Sequence, residues 1–271
     1  MDDSGSGEAA IKDASHDLLG QLELTVIATP RIGPAGARNA GARRAGGEIL
    51  AFTDDDCRVD RSWLFVLATV IAQSTPSGAG GRTTNALPGN RWAAASQRIV
   101  DLAYAYYNDD PVRSELIATN NLAVSKDAFR EVGGFDERYR APGAEDRDFC
   151  RRWRQSGLDL HYARDALVYH GHQLTLSAFA RQHFDYGRGA FRYHREAGRE
   201  GDSQFRRTLG FYVSMPRLLR QLTPKRSKVV QVADLALWQT ANVAGFGWEA
   251  ARSVVRRTSR RQAAGRKLPY P

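Results

Sequence analysis

The sequence of 271 residues is poor in cysteine, with only Cys57 and Cys150. Two distant cysteines exclude a disulfide framework and match no zinc-type spacing, so reduced thiols in a reducing compartment are predicted. The opening residues, MDDSGSGEAA, lack the basic and apolar segments of a secretory leader. No internal repeat is visible. These absences predict a cytoplasmic protein of ordinary globular composition, with 42% hydrophobic and 25% charged residues.

The net charge of +9 is distributed unevenly along the chain. Residues 180–271 contain 19 Lys and Arg against 6 Asp and Glu, whereas residues 1–179 contain 20 against 24. A mildly acidic body is therefore followed by a strongly basic tail. Such a tail indicates an anionic partner, for which a membrane surface and nucleic acid are the two obvious choices.

Strand and helix signals alternate through the first part of the chain. The segment LELTVIATP (22–30) is typical of a strand, and the alanine-rich segment after it predicts a helix that stops at Gly46-Gly47. EILAF (48–52) is a short apolar run of the kind that forms a strand buried on both faces of a parallel sheet. SWLFVLATVIAQS (62–74) predicts the next helix. This order predicts an α/β layer fold.

The same pattern continues in the second part. GAEDRDFCRRWRQSG (143–157) predicts a helix with aromatic and thiol side chains on the face that carries Asp146, and Gly157 just past its end. LDLHYARDALVYH (158–170) predicts one or two strands, followed by a capped helix through Phe184. Beyond about residue 200 the sequence becomes helical, basic and apolar.

Three consecutive aspartates, Asp54, Asp55 and Asp56, directly follow the short apolar strand. Because like charges repel, the triplet needs a positive partner: a basic side chain, a helix terminus or a metal ion. In an extended segment Asp54 and Asp56 point to one side and Asp55 to the other. Two carboxylates on one side, at the end of a sheet strand, suit Mg²⁺ or Mn²⁺ holding substrate phosphates. A solvated acidic turn that caps the next helix is the alternative.

Two further pairs of residues are candidates for the same site. Glu145 and Asp146 open a predicted helix, whose dipole keeps carboxylates ionised. An ionised carboxylate can act as the general base that deprotonates an acceptor hydroxyl. Simple stabilisation of the first helical turn is the alternative for this pair. His170 and His172 follow a predicted strand and are candidate imidazole ligands of the metal, although a lone histidine is more often structural.

These segments together resemble the family 2 glycosyltransferases, nucleotide-sugar enzymes of the GT-A fold. GPAGARNAGARRAGGEILAFTDDDC is similar to that family's ARNxG helix, apolar strand and DxD motif. ATNNLAVSKDAFREVGGFDERY is similar to the segment before the catalytic loop, and GAEDRDFCRRW to the ED motif. LVYHGHQLTLSAFARQHFDYGRG resembles the late histidine and the helix behind it. The four motifs stand in the family's order over residues 28–190.

The resemblance implies an inverting transfer of a sugar from a nucleotide-sugar donor to a glycan or lipid-linked acceptor. Asp54 and Asp56 would coordinate Mn²⁺ or Mg²⁺ on the diphosphate, and Asp146 would be the catalytic base with Glu145 as its neighbour or alternate. His170, and after it His172, would be the histidine contact to the metal. The nucleotide would be contacted by Arg38, Asn39 and Asp55, and its nucleoside by Asp3. The sugar or acceptor would be contacted by Asn120 and Asn121.

One departure from the family pattern concerns the start of the chain. The family opens with a strand, a helix and a second strand that ends in a DDGS-like turn gripping the base, and here Asp2, Asp3 and Ser4 are similar to that turn. The first strand–helix unit is therefore expected to be missing, which would leave a sheet edge unpaired. Residues 1–200 are then a truncated GT-A domain and residues 201–271 a helical, basic extension. A sugar-nucleotide-binding or scaffold remnant without catalysis is the alternative function.

The extension contains a long apolar segment, residues 229–250, which could cross a bilayer by length but carries Asp234. On a helical wheel its polar residues fall within a narrow stripe. Those residues are Gln231, Asp234, Asn242 and Glu249. This pattern favours a helix that lies in the membrane interface or packs on a partner over one that spans the bilayer.

Basic clusters follow this segment at Arg256-Arg257, Arg260-Arg261 and Arg266-Lys267. They predict contacts with anionic lipid head groups, and hence a peripheral protein at the inner face of the plasma membrane. A soluble extension with a solvated basic face is the alternative. Nucleic-acid binding is not expected, because no recognition fold is visible and no aromatic residues alternate with the arginines. A Rossmann dehydrogenase is disfavoured because GPAGARNAG lacks the G-x-G-x-x-G spacing.

Overall fold

The structure, a computed structural model, describes residues 23–73, 77–140, 143–201, 204–222 and 228–265. Its centre is a mixed five-stranded sheet with the order β1-β4-β3-β5-β2. The strands are β1 (Ile49–Phe52), β2 (Cys57–Val59), β3 (Ser77–Asn85), β4 (Leu122–Ser125) and β5 (Asp159–His170). In this sheet β3 and β5 run parallel, and the other three neighbouring pairs are antiparallel. The predicted α/β class is confirmed.

Helices pack on this sheet and extend beyond it. They are α1 (Pro34–Arg44), α2 (Trp63–Gln73), α3 (Arg91–Tyr107), α4 (Lys126–Glu131), α5 (Glu145–Gln155), α6 (Leu176–Arg199), α7 (Gln204–Leu222) and α8 (Lys228–Gly265). Helices α1, α2 and α5 lie where the sequence predicts them. Helix α6 begins as predicted, with the Thr175 hydroxyl accepting from the Ala178 amide at 3.2 Å, but continues well past Phe184.

Two strand predictions near the start need correction. Strand β1 is an edge strand paired antiparallel with β4, and Leu50 is its one fully buried residue, so it is not buried on both faces of a parallel sheet. The strand predicted over residues 22–30 is wrong for 23–27, which have no regular secondary structure. The described residues provide no neighbouring strand for this segment, and an extended segment without a partner is not stable in water.

Helix α5 is fixed to the sheet by its buried face. Phe149 and Trp153 are fully buried, and the Trp153 indole donates to the Asp159 carbonyl at 2.9 Å. Gly157 follows the helix with φ +77°, a left-handed conformation that ends the helix and turns the chain into β5. The acidic first turn of α5 therefore has a fixed position relative to the ends of the strands.

Helix α8 packs closely on α6. A Cβ atom added at Gly187 of α6 would overlap the Asn242 carbonyl oxygen, and one added at Gly245 of α8 would overlap the Phe184 carbonyl oxygen. Glycine at these positions is what lets the two helix backbones approach so closely. The C-terminal helix is therefore an integral part of the packed body.

Two buried carboxylates of α8, Asp234 and Glu249, form ion pairs with the body. Their partners are Arg91 and Arg98 for Asp234, and Arg188 and Arg192 for Glu249, at 2.7–3.1 Å. The polar stripe of this helix thus faces α3 and α6, which makes the protein's own body the partner on which the helix packs.

The described helices include none that is both long and apolar enough for a transmembrane segment. The side chains of residues 256–265 and all of residues 266–271 lie outside the described part of the chain, so the predicted lipid contacts of the basic clusters fall there too.

Candidate active site

An aspartate and two histidines come together where β2 and β5 pair. Cys57 lies opposite His170 in the strand register, and the Gly171 amide donates to the Asp56 carbonyl at 2.7 Å. This pairing places His170 Nε2 3.1 Å from an Asp56 carboxylate oxygen. One ligand atom each of Asp56, His170 and His172 lies within 4.8 Å of the others. The three residues form a candidate metal site.

The chemistry of this cluster suits a divalent metal of intermediate hardness. Carboxylate and imidazole together are common ligands of Mn²⁺ and related ions. Partial burial, and secondarily the neighbouring His170, lowers the pKa of His172, so its imidazole is neutral and a ring nitrogen is available as a ligand. Asp54, the other aspartate predicted to bind metal, is not part of this three-residue cluster.

Asp54 instead forms an ion pair with Arg38, which also reaches the ED motif. The Arg38 guanidinium donates to Asp54 at 2.9 Å and to Glu145 at 3.0 Å. Burial would lower the pKa of Arg38, but the two carboxylates outweigh it and the pKa is raised. Arg38 thus connects α1, the aspartate triplet and the start of α5, a linking role that the motif match alone did not indicate.

An unusual backbone turn presents the ED motif to the site. Ala144 has φ +74°, a left-handed conformation that is uncommon for a residue with a side chain, and Gly143 precedes it with φ +122°. The Gly143 amide donates to the second carboxylate oxygen of Glu145 at 2.8 Å. Glu145 is therefore held on both oxygens and is nearly inaccessible, with 5% of its surface exposed. Backbone strain of this kind is frequent at functional sites.

Asp146 forms no ion pair with the described residues, and one of its carboxylate oxygens accepts from the Arg147 amide at 2.7 Å. Burial and then the adjacent Glu145 raise its pKa from 3.8 to about 7, although Arg38 and Arg147 act in the opposite direction. A carboxylate with a pKa near neutrality is well matched to accept a proton from a hydroxyl group at physiological pH. Of the two predicted catalytic residues, Asp146 thus has the environment that a base requires, while Glu145 is bonded to Arg38.

Several residues predicted to bind substrate have other roles in the structure. The Asn39 amide bonds to the backbone of Phe135 at 2.8 and 2.9 Å. The Asn121 amide bonds to Trp63, Gly81 and Ala166 and is completely buried. Both side chains hold the fold together and neither lines the cavity described next. Asp55 is exposed and also lies outside that cavity, and Asp3 is outside the described residues.

A cavity of about 520 Å³ opens at the site. Predicted residues on its wall are Arg38, Asp54, Asn120, Glu145, Asp146, His170 and His172. The Asn120 amide oxygen accepts from the Thr83 hydroxyl at 3.1 Å. The cavity continues between α3, α6, α7 and α8, whose wall residues were not predicted because no local motif marks them. The site therefore combines the predicted motifs with a second, helical wall.

Two family models match this chain. Residues 2–133 match the model for glycosyl transferase family 2, and residues 103–172 match the model described as the N-terminal domain of galactosyltransferase. Together they include all four motifs except the distal part of the last one.

Curated relatives are similar over the same region. The pre-mycofactocin glycosyltransferase of Mycobacterium tuberculosis is 28% identical over 182 residues, which cover 65% of this chain and 38% of that protein. Glycosyltransferase AglE of Haloferax volcanii is 27% identical over 149 residues, which cover 55% of this chain and 47% of that protein. The chain thus spans less than half the length of each of these relatives.

A solved structure is similar over most of the chain. The mannosyltransferase PcManGT from Pyrobaculum calidifontis, solved in complex with GDP-Man and Mn²⁺, superposes with a TM-score of 0.59. The match covers 92% of this chain and 68% of that structure at 16% identity, so it shows a shared fold. The two family models and the relatives together support a family 2 glycosyltransferase, and the shared fold agrees with this.

Proposed function

We propose that this protein transfers a sugar from a nucleotide-sugar donor to an acceptor hydroxyl, with inversion and with a divalent metal. The observation that supports this most strongly is the convergence of three features on one cavity: the histidines of the candidate metal site, the Arg38-linked carboxylates and the carboxylate of Asp146. The similar mannosyltransferase was solved with a nucleotide sugar and Mn²⁺, which also supports the proposal.

In the proposed reaction Asp146 accepts the proton of the acceptor hydroxyl. The hydroxyl oxygen forms a bond to the anomeric carbon, and the bond from that carbon to the diphosphate oxygen breaks with its electron pair. Asp56, His170 and His172 would hold Mn²⁺ or Mg²⁺, which neutralises charge on the departing diphosphate. Arg38 keeps Asp54 and Glu145 in fixed positions at the cavity wall.

The test is sugar transfer by the purified chain with Mn²⁺ and labelled UDP- and GDP-sugars. We expect Asp146→Asn to abolish transfer while leaving donor binding, measured by calorimetry, unchanged. Asp127→Asn is the matched control, because Asp127 is 93% exposed and follows the end of β4 that pairs with Ile49, away from the aspartate triplet. Full activity in Asp146→Asn would refute the mechanism.

The same experiment separates the alternative function. A chain that binds a UDP- or GDP-sugar with Mn²⁺ but transfers nothing to any acceptor or to water would be a sugar-nucleotide-binding remnant. The raised pKa of Asp146 favours the enzyme, because a binding module needs no such base beside its ligand.

We also propose that the protein acts at the cytoplasmic face of the plasma membrane on a lipid-linked or envelope-glycan acceptor. Helix α7 presents an exposed apolar stripe at i, i+4 and i+8, formed by Phe205, Leu209 and Val213. Exposed arginines on the same helix accompany this stripe: Arg206, Arg217 and Arg220. An apolar stripe with neighbouring basic residues suits an anionic membrane surface.

Liposome co-sedimentation tests the membrane proposal. We expect binding to vesicles that contain phosphatidylglycerol, weaker binding to pure phosphatidylcholine vesicles, and a marked loss of binding in Val213→Asp. Val112→Asp is the matched control, since Val112 is exposed in the loop after α3 rather than on α7. Equal binding of Val213→Asp and the unchanged protein would exclude α7 as the membrane surface.

A further inference from the structure

One part of the cavity wall is formed by helices, and the space along this part is called the chamber below. Six aromatic or aliphatic side chains characterise it: Ile99 and Tyr107 of α3, Phe211 and Tyr212 of α7, and Trp238 and Phe246 of α8. The metal-site residues come from strands and the loops after them, whereas this chamber is built by helices, two of which lie C-terminal to the segments matched by the family models.

The chamber walls are held firmly in place. Tyr107, Phe211 and Trp238 are buried, and their rings pack on neighbouring aromatic rings. The ion pair of Asp234 with Arg98 joins α8 to α3, two of the helices that form the wall. A preformed apolar cavity favours a ligand with a matching apolar surface, because that surface leaves water on binding.

The chamber also contains an unpaired polar group. His183 of α6 lines the cavity with 1% of its surface exposed, and neither ring nitrogen has a hydrogen-bond partner within the described residues. A buried polar group without a partner is unfavourable and is often completed by a ligand. Burial lowers the pKa of His183 to about 4, so the ring is neutral and offers one donor and one acceptor. This combination suits a neutral polar group such as a hydroxyl.

We propose that this chamber binds the acceptor, and that the acceptor is a hydroxyl-bearing molecule with a largely apolar body, either hydrocarbon or aromatic. His183 forms a hydrogen bond with a neutral polar group of that molecule, and the apolar body lies between α3, α7 and α8. Asp146 lies on the wall of the same cavity, where the reacting hydroxyl is required. The inference rests on the proposed function and adds the class of the acceptor.

Calorimetry without any donor tests binding independently of catalysis. The probes are a decyl glycoside below its micellar concentration, a p-nitrophenyl glycoside and the methyl glycoside of the same sugar. We expect the decyl or the nitrophenyl compound to bind at least tenfold more tightly than the methyl compound. Preference for the decyl compound would indicate a lipid-like acceptor and preference for the nitrophenyl compound an aromatic one. Equal affinity for all three would overturn the proposal.

Two variants locate the binding in the chamber. Ala103→Phe fills part of the chamber from α3 and should abolish binding of the preferred probe, whereas Val112→Ser in the exposed loop after α3 should leave it unchanged. His183→Phe loses no hydrogen bond to the described residues, so the fold should persist, and the affinity for the preferred probe should fall about tenfold. Unchanged affinity in His183→Phe would refute its role, and unchanged affinity in Ala103→Phe would refute the chamber as the site.

The transfer assay distinguishes a failure of the chamber inference from a failure of the proposed function. If the protein transfers sugar but His183→Phe leaves the acceptor KM unchanged, the chamber inference fails and the proposed function stands. We expect His183→Phe to raise the acceptor KM about tenfold with kcat and donor KM retained. A merely structural role of His183 would affect kcat and both KM values together.

Discussion

His170 Nε2 lies 3.1 Å from Asp56 Oδ2, although 114 positions separate the two residues in the chain. The contact follows from strand pairing: Asp56 immediately precedes β2, and His170 is the last residue of β5, its antiparallel neighbour. Backbone hydrogen bonds therefore fix the backbone positions of these two candidate ligands. A site built in this way is preorganised for a metal.

The first prediction concerns metal binding. His170→Ala should weaken Mn²⁺ binding by on the order of 100-fold, because removing a direct ligand affects affinity at least as much as removing an outer partner. The measurement is the loss of the free Mn²⁺ signal in electron paramagnetic resonance titrations. His161→Ala is the control, a histidine earlier on the same strand that does not line the cavity. Equal Mn²⁺ affinity in the two variants would contradict the proposed site.

The second prediction concerns the pH dependence of transfer. Asp146 must be deprotonated to act as a base, and its pKa is raised to about 7. The rate should therefore be low at pH 5, rise through about pH 7 and level off above it. Initial rates between pH 5 and 9, at saturating donor and Mn²⁺, measure this profile. A flat profile down to pH 5 would mean that the base has an ordinary carboxylate pKa and is a different group.

The third prediction concerns stability and the same carboxylate. The pKa of Asp146 is higher in the folded than in the unfolded state, so ionisation of this carboxyl group opposes folding. The stability that the group contributes is fully present below about pH 4 and is lost as the pH rises through about 7. Asp146→Asn should accordingly raise Tm at pH 8, by about 2–4 °C for each kcal/mol gained. At pH 4.5, where the folded-state carboxyl group is protonated, the difference should be much smaller. Thermal unfolding at both pH values measures it, and a lower Tm for the variant at pH 8 would reverse the assigned sign.

The fourth prediction tests the coupling of Arg38 to Glu145. Arg38→Met leaves the Glu145 carboxylate buried without its cation and should lower the free energy of unfolding by about 3 kcal/mol. Glu145→Gln should restore part of this loss in the double variant, giving a coupling energy of about 1–3 kcal/mol in urea unfolding at pH 7.5. Strictly additive effects would show that the two side chains do not interact energetically.

The motif residues that could be predicted are those whose role depends on local sequence and strand position. His170 ends a predicted strand, whereas Asp56 is brought to it by β2, a short strand that the sequence did not predict. Asn39 and Asn121 were assigned to the substrate by motif position, but their amides are used by distant backbone groups. Nothing in a linear motif shows whether a polar side chain already has tertiary partners.

The helical wall of the cavity could not be predicted for a related reason. Trp238 and Phe211 belong to apolar patterns that fit a core, a membrane interface or a binding site equally well. Only the packing of α7 and α8 on α3 places them beside the site. Likewise, Asp234 belongs to a periodic polar stripe along its helix, which does not show what the stripe packs against. Its partners Arg98 and Arg91 lie 136 and 143 positions away in the chain.

The last prediction joins the attachment of α8 to acceptor binding. Asp234 has 4% of its side chain exposed and pairs with Arg91 and Arg98, so Asp234→Asn removes both of these ion pairs. We expect the free energy of unfolding to fall by about 2–3 kcal/mol, less than for fully buried pairs because Arg91 is half exposed. Asp127→Asn, the same change at a surface pair, should alter it by less than about 0.5 kcal/mol.

Because Trp238 is one turn from Asp234 on α8 and lines the chamber, loosening this helix should also affect the acceptor side of the site. Asp234→Asn should therefore weaken binding of the decyl or nitrophenyl glycoside while Mn²⁺ binding at Asp56 and His170 persists. The metal site depends on strand pairing and not on α8, so the two affinities should respond differently. Parallel loss of both in a protein that remains folded would show that the chamber and the metal site depend on the same part of the fold.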